Sequence, residues 1–139
     1  MIFWDSSALV ALLADEPESD SRRQQLRADS ALAVWWCTPV ECESAIQRRL
    51  REGSLAMTQA RLARERLADL SSGWHEVAPV VAVRTLARRL LRTHPLRAAD
   101  ALQLAAALAL MEAGLNELPF ACSDSRLATA AEAEGLQVV

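Results

Sequence analysis

Residues 96–111, LRAADALQLAAALALM, constrain the chain more than any other stretch. From Ala98 onward they carry only two polar side chains, Asp100 and Gln103, with no β-branched residue, no Gly and no Pro after Pro95. Such an Ala- and Leu-rich run is predicted to be helical. A helix apolar on all sides is normally buried within a larger protein. Asp100, at its front, then needs a physical account, because a carboxylate withdrawn from water is costly unless paired, hydrogen-bonded or bound to a cation. Either it caps the first turn, where the helix dipole favours negative charge, or it is aimed into a charged site.

The other acids decide what such a site could be, and composition limits the options first. At 139 residues and 52% hydrophobic content the chain suits one domain, residues 1–139, with a real core. Its longest apolar run, 104–111, falls far short of the roughly 20 residues that span a bilayer, and the start MIFWDSS lacks the basic segment of a signal peptide. Cys37, Cys42 and Cys122 form no CxxC pair, which favours buried thiols in a reducing cytoplasm over disulfides or a zinc site. Every basic residue is Arg. Without Lys there is no P-loop lysine and no Schiff base. The net charge of -3 means that any nucleic-acid contact must rest on local patches.

Read from the N-terminus, residues 2–4 are a buried strand, 5–7 a turn and 7–14 a helix, so Asp5 ends the first strand. Open α/β sheets place ligands at that edge. Ser6 or Ser7 is expected to cap the helix. Pro17 breaks the pattern before a polar, exposed helix at 19–28, and 31–36 is the second strand. Thr38-Pro39 has the pairing of an N-cap with Pro at the first helical position. That puts Glu41 where a capping box would use it, and Glu43 reads as a surface charge. Gly53 closes this helix, and another follows over 55–70, before Gly73. A short strand at 74–78 precedes a helix at 80–93. Its Arg84, Arg88 and Arg92, with Arg89 beside them, form either a solvated row or one that tracks phosphates. His75 and His94 read as ordinary surface or loop positions. Gly114 marks the end of the central helix; a strand at 118–122 ends at Ser123-Asp124, a helix takes 125–133 and a last short strand 136–139. Alternation of strands and helices implies an α/β fold, with a parallel sheet of about five strands flanked by helices on both faces.

Asp5 and Asp124 then end strands, while Glu41 and Asp100 open helices on the same sheet edge, so the four can converge. Two carboxylates 5 Å apart repel by roughly 3 kcal/mol at an effective dielectric near 20, so protons or a divalent cation must offset the cluster. Oxygen ligands without His or thiolate select Mg2+ or Mn2+ over zinc. The natural chemistry is metal-activated water attacking a phosphodiester in line.

The segments IFWDSSALVALL, TPVECESAIQRRLREG, LRAADALQLAAALAL and ACSDSRLATAAEAEGLQVV resemble, in order, the four motifs of PIN-domain ribonucleases of the VapC toxin type. The third is the most specific. The resemblance implies a Mg2+- or Mn2+-dependent endoribonuclease on a parallel sheet, the toxin of a type II toxin–antitoxin module. Such toxins are usually homodimers, neutralised by a small antitoxin whose tail covers the site. Motif matching puts the metal-binding acids at Asp5, Glu41, Asp100 and Asp124, with Ser7 as a hydroxyl helper and Glu43 as the neighbouring alternative to Glu41. Arg48, Arg49 and Arg97 are candidates for phosphate contacts or surface ion pairs, and exposed leucines on the 55–70 helix would give a dimer its surface. Two rivals share part of this logic. One is a PIN-like module that binds a protein partner with little turnover. The other is a metal-dependent phosphomonoesterase, a class that often pairs an Asp nucleophile with a Lys absent here.

Overall fold

A computed structural model describes all residues 1–139. Strands β1 (Ile2–Trp4), β2 (Leu32–Trp35), β3 (His75–Val77) and β4 (Phe120–Ala121) form one parallel sheet in the order β3-β2-β1-β4. Phe3 pairs with Ala33 on one side and Phe120 on the other, so β1 is central. The Phe3 and Phe120 rings stack with centroids 5.5 Å apart. The fifth strand anticipated at 136–139 is reduced to a single parallel bridge, Phe120 to Val138.

Residues alternate between two cores, as strands covered on both faces require. Phe3, Ala33, Trp35 and Phe120 face one core; Ile2, Trp4, Leu32 and Val34 face the other. The first core is closed by α5 (Val81–Thr93), α6 (Ala98–Glu112) and α7 (Ser125–Ala133). The second is closed by α1 (Ser6–Leu13), α3 (Thr38–Glu52) and α4 (Met57–Ser71). α2 (Ser19–Ala28) lies alongside α1. The central helix is α6, and Ala101, Ala105, Ala106 and Ala107 are all fully buried. These small side chains let it approach β2 and α5 closely, while Leu104 fills the space between. No helix is long and apolar enough to cross a membrane.

Several local expectations are corrected. Neither Ser6 nor Ser7 caps α1; the Asp5 side chain does, accepting from the Ser7 N–H. Thr38 lies inside α3, which Cys37 precedes without a side-chain cap, because its hydroxyl turns inward as a buried acceptor. The central helix begins at Ala98, leaving Leu96 and Arg97 outside it. The second helix is not wholly exposed, since Ser19 and Arg22 are buried. His94 is no free surface residue: its Nε2 lies 2.7 Å from Glu134 Oε1. Of the leucines on α4 only Leu62 is exposed, because Leu67 belongs to the core and Leu70 packs against it.

Candidate active site

The strand order reverses at β1, with β2 on one side and β4 on the other. Ligands of open α/β sheets bind outside the carboxyl ends of strands at such a switch point. A cleft of about 490 Å3 opens at this edge, lined among others by Ser6, Ser7, Glu41, Arg48, Arg97 and Asp100.

Asp5 follows β1 directly before the cleft-lining Ser6 and Ser7, and is itself buried at 3% exposure. Its Oδ2 accepts from the Ser7 backbone N–H at 2.9 Å and from Ser7 Oγ at 2.5 Å. Burial pushes the Asp5 carboxyl up to about 6; the Ser7 bonds oppose this, and the charges of Glu41 and Asp100 add to it. Ser7 Oγ also accepts from the Ser123 N–H at 2.9 Å, so one hydroxyl joins the exits of β1 and β4.

Glu41 enters from the first turn of α3. Its side chain does not reach back to the helix start as a capping box would. Instead Oε2 accepts from Ser6 Oγ at 2.7 Å and from Gln103 Nε2 at 3.1 Å. Burial raises its carboxyl above the usual range, the two donors pull it down, and Asp100 pushes it up. Glu43 faces away. Both its oxygens bond Arg64 of α4, as close as 2.8 Å, and that pairing lowers its carboxyl.

Asp100 does both things open to it. Its Oδ2 accepts from the Arg97 N–H at 3.3 Å, serving the first turn of α6, and the residue lines the cleft while half-buried. Asp124 stands apart. It is exposed at the exit of β4, and its Oδ1 accepts from the Arg126 and Leu127 N–H groups at 2.9 and 3.0 Å, capping α7.

The structure thus brings Asp5, Glu41 and Asp100 within electrostatic reach of one another and leaves Asp124 outside the cleft lining, at the start of α7. No three Asp, Glu, His or Cys side chains converge tightly enough to ligate one ion as they stand. The donor set nonetheless suits a hard cation. Mg2+ is held by one or two carboxylates, with water and substrate oxygens completing its shell. The nearby thiols do not compete, because burial pushes both Cys42 and Cys122 up to about 12 and keeps them protonated.

Among the arginines, Arg49 pairs with Glu16 across one end of the cleft. Arg48 and Arg97 line it without forming an ion pair. Two functional contributors were missed in the sequence. Gln103 is fully buried and holds Glu41. Arg22 is 7% exposed and donates at 2.7 Å to the carbonyls of Cys122 and Val139, which fixes the β4 exit. Gln103 had one visible signal, a lone amide in an apolar helix; Arg22 had none.

Comparison with known proteins bears on family and fold. The PIN domain family model matches residues 2–133. Two proteins of Mycobacterium tuberculosis, Ribonuclease VapC45 and Ribonuclease VapC49, are each 33% identical over 151 aligned residues, covering 99% of this chain and 94% of their own. The crystal structure of FitAcB from Neisseria gonorrhoeae superposes with a TM-score of 0.66 at 17% identity, over 99% of this chain and 96% of that one, so it shares the fold. On the match over almost its whole length and on its full-length relatives, the chain belongs to the PIN-domain family.

Proposed function

We propose that this protein is a metal-dependent endoribonuclease, the toxin component of a type II toxin–antitoxin module, with residues 1–139 as its PIN domain. The observation that carries the reading is that Glu41 and Asp100 line one cleft together with Arg48 and Arg97, next to the buried Asp5, whose carboxyl both acids push up. The names of the two mycobacterial relatives, both ribonucleases, support the substrate class.

Asp5, Glu41 and Asp100 would hold Mg2+ or Mn2+, with Asp124 acting from the start of α7, directly or through water. When bound, such an ion neutralises the clustered carboxylates and lowers the pKa of water, which suits a site with no His or Lys base. The chain's own residues supply the rest. Ser7 fixes the Asp5 carboxylate, Ser6 fixes that of Glu41, and Arg48 and Arg97 take phosphate oxygens of the substrate. Hydrolysis adds water across one internal phosphodiester, and the departing sugar oxygen takes up a proton. A homodimer, a protein antitoxin that covers the cleft and a cytoplasmic site of action complete the proposal.

The test is a comparison of substrates. Purified protein with Mg2+ or Mn2+ should cut polymeric RNA internally and leave p-nitrophenyl phosphate untouched. Turnover of the small ester without RNA cleavage would favour a phosphomonoesterase. Binding of a partner chain without either activity would favour a protein-binding module.

A further inference from the structure

The central helix delivers two polar groups to the same site from successive turns. Asp100 opens into the cleft, and Gln103, three residues later, points its amide at Glu41. Gln103 is fully buried, the one polar side chain among the buried residues of α6. Its Nε2 donates to Glu41 Oε2 at 3.1 Å and to Thr38 Oγ1 at 3.2 Å, while its Oε1 has no hydrogen-bond partner.

That orphan oxygen makes Gln103 a poor choice for stability alone. A buried polar atom left unpaired carries its full desolvation cost, and an apolar side chain of the same shape would avoid it. What the amide achieves lies at Glu41. Together with Ser6 Oγ, at 2.7 Å, it places two donors on one carboxylate oxygen. A carboxylate gripped through Oε2 has its rotation fixed, and its other oxygen is presented in one direction. Groups that grip a ligand in this way are typically worth 10–100-fold in metal affinity.

We propose that Gln103 is a positioning residue that holds Glu41 ready for a divalent cation, so that helix α6 orients one acid of the site while supplying another. This rests on the reading of the cleft as a metal-dependent nuclease site. Gln103 touches neither substrate nor the reacting atoms; it acts through Glu41.

Gln103→Met keeps the side chain's length while removing both donors and the orphan acceptor, and Ser6→Ala removes the other donor to Glu41. Each full-length variant would be compared with wild type by thermal melting, by Mn2+ titration followed through the electron paramagnetic resonance of the free ion, and by RNA cleavage across a metal series. Gln103→Met should melt no lower than wild type yet bind Mn2+ about tenfold or more weakly, with cleavage partly recovered at high metal. Ser6→Ala should shift Mn2+ affinity the same way. A folded Gln103→Met protein with wild-type Mn2+ affinity overturns the proposal while leaving the nuclease reading intact. If Gln103→Met fails to fold, unchanged affinity in Ser6→Ala overturns it as well. If wild type itself binds no Mn2+, the nuclease reading falls and this inference with it.

Discussion

Ser7 grips Asp5 twice through a single atom: its backbone N–H and its hydroxyl both donate to Asp5 Oδ2, at 2.9 and 2.5 Å. The first bond caps helix α1; the second fixes the buried carboxylate behind the cleft-lining Ser7. One acid thus starts a helix and serves the site, and its burial is the cost of that double use.

The stability of the metal-free protein follows from this burial. Asp5 is held near 6 in the folded state against 3.8 for the free side chain. The folded protein therefore binds more protons than the unfolded chain between those values, and stability falls as pH rises through that window. Asp5→Asn retains a capping side chain and removes the charge. It should stabilise the metal-free protein at pH 7 by about 2–3 kcal/mol, an advantage that disappears below about pH 4. Urea melts at pH 4 and pH 7 check this; an equal difference at both contradicts it.

The two neighbouring glutamates should separate cleanly. Glu41→Gln weakens the metal site and should reduce RNA cleavage by at least about a hundredfold, the scale of removing a directly acting group. Glu43→Gln only releases Arg64 on the outer face of α3 and α4. Its cleavage rate should match wild type. Equal losses in the two variants would place Glu43 in the site.

Arg97→Ala and Arg48→Ala should raise KM for RNA with little change in kcat. Each should also reduce the salt dependence of binding by about 0.7 in log–log slope, the value of one phosphate contact on a single strand. Arg49 already pairs with Glu16, so Arg49→Ala should leave that slope nearer to wild type. Binding isotherms from 50 to 200 mM salt distinguish the three.

A different acid reports on the fold alone. Glu134 accepts from Arg89 Nη1 and Nη2, at 3.0 and 2.7 Å, and also meets His94, joining the end of α5 to the end of α7. Arg89 holds its carboxyl below the usual range. A depressed carboxyl contributes stability that is complete above its unfolded value and is lost as pH falls through its folded value. Glu134→Gln should therefore cost about 1–2 kcal/mol at neutral pH, with the difference vanishing in acid. Melting curves at pH 3 and 7 test it.

Much of this arrangement was legible in the chain, and the parts that were not share a cause. An apolar triplet ending at Asp5 announced a strand-end acid. Asp100 stood out because it is one of only two polar side chains between Ala98 and Met111. Glu41 could be placed near the sheet edge, but what holds it is an amide sixty-two residues away, beyond any local pattern. The same limit hid Thr38, whose hydroxyl looked like a cap and serves Gln103. It hid His94 and Arg22 too, which read as surface residues until α7 and the β4 exit were in place. Local signals set the elements; side-chain partners across the fold set the roles.

The central claim is that these carboxylates form a metal-dependent RNA-cutting site. The most direct measurement is cleavage of a labelled RNA pool across Mg2+ and Mn2+ series, by wild type and by Asp100→Asn purified identically. Wild type should cut the RNA internally and only with metal present, and the variant should not cut it. Equal cutting by both proteins, or cutting undiminished by chelation, would contradict it.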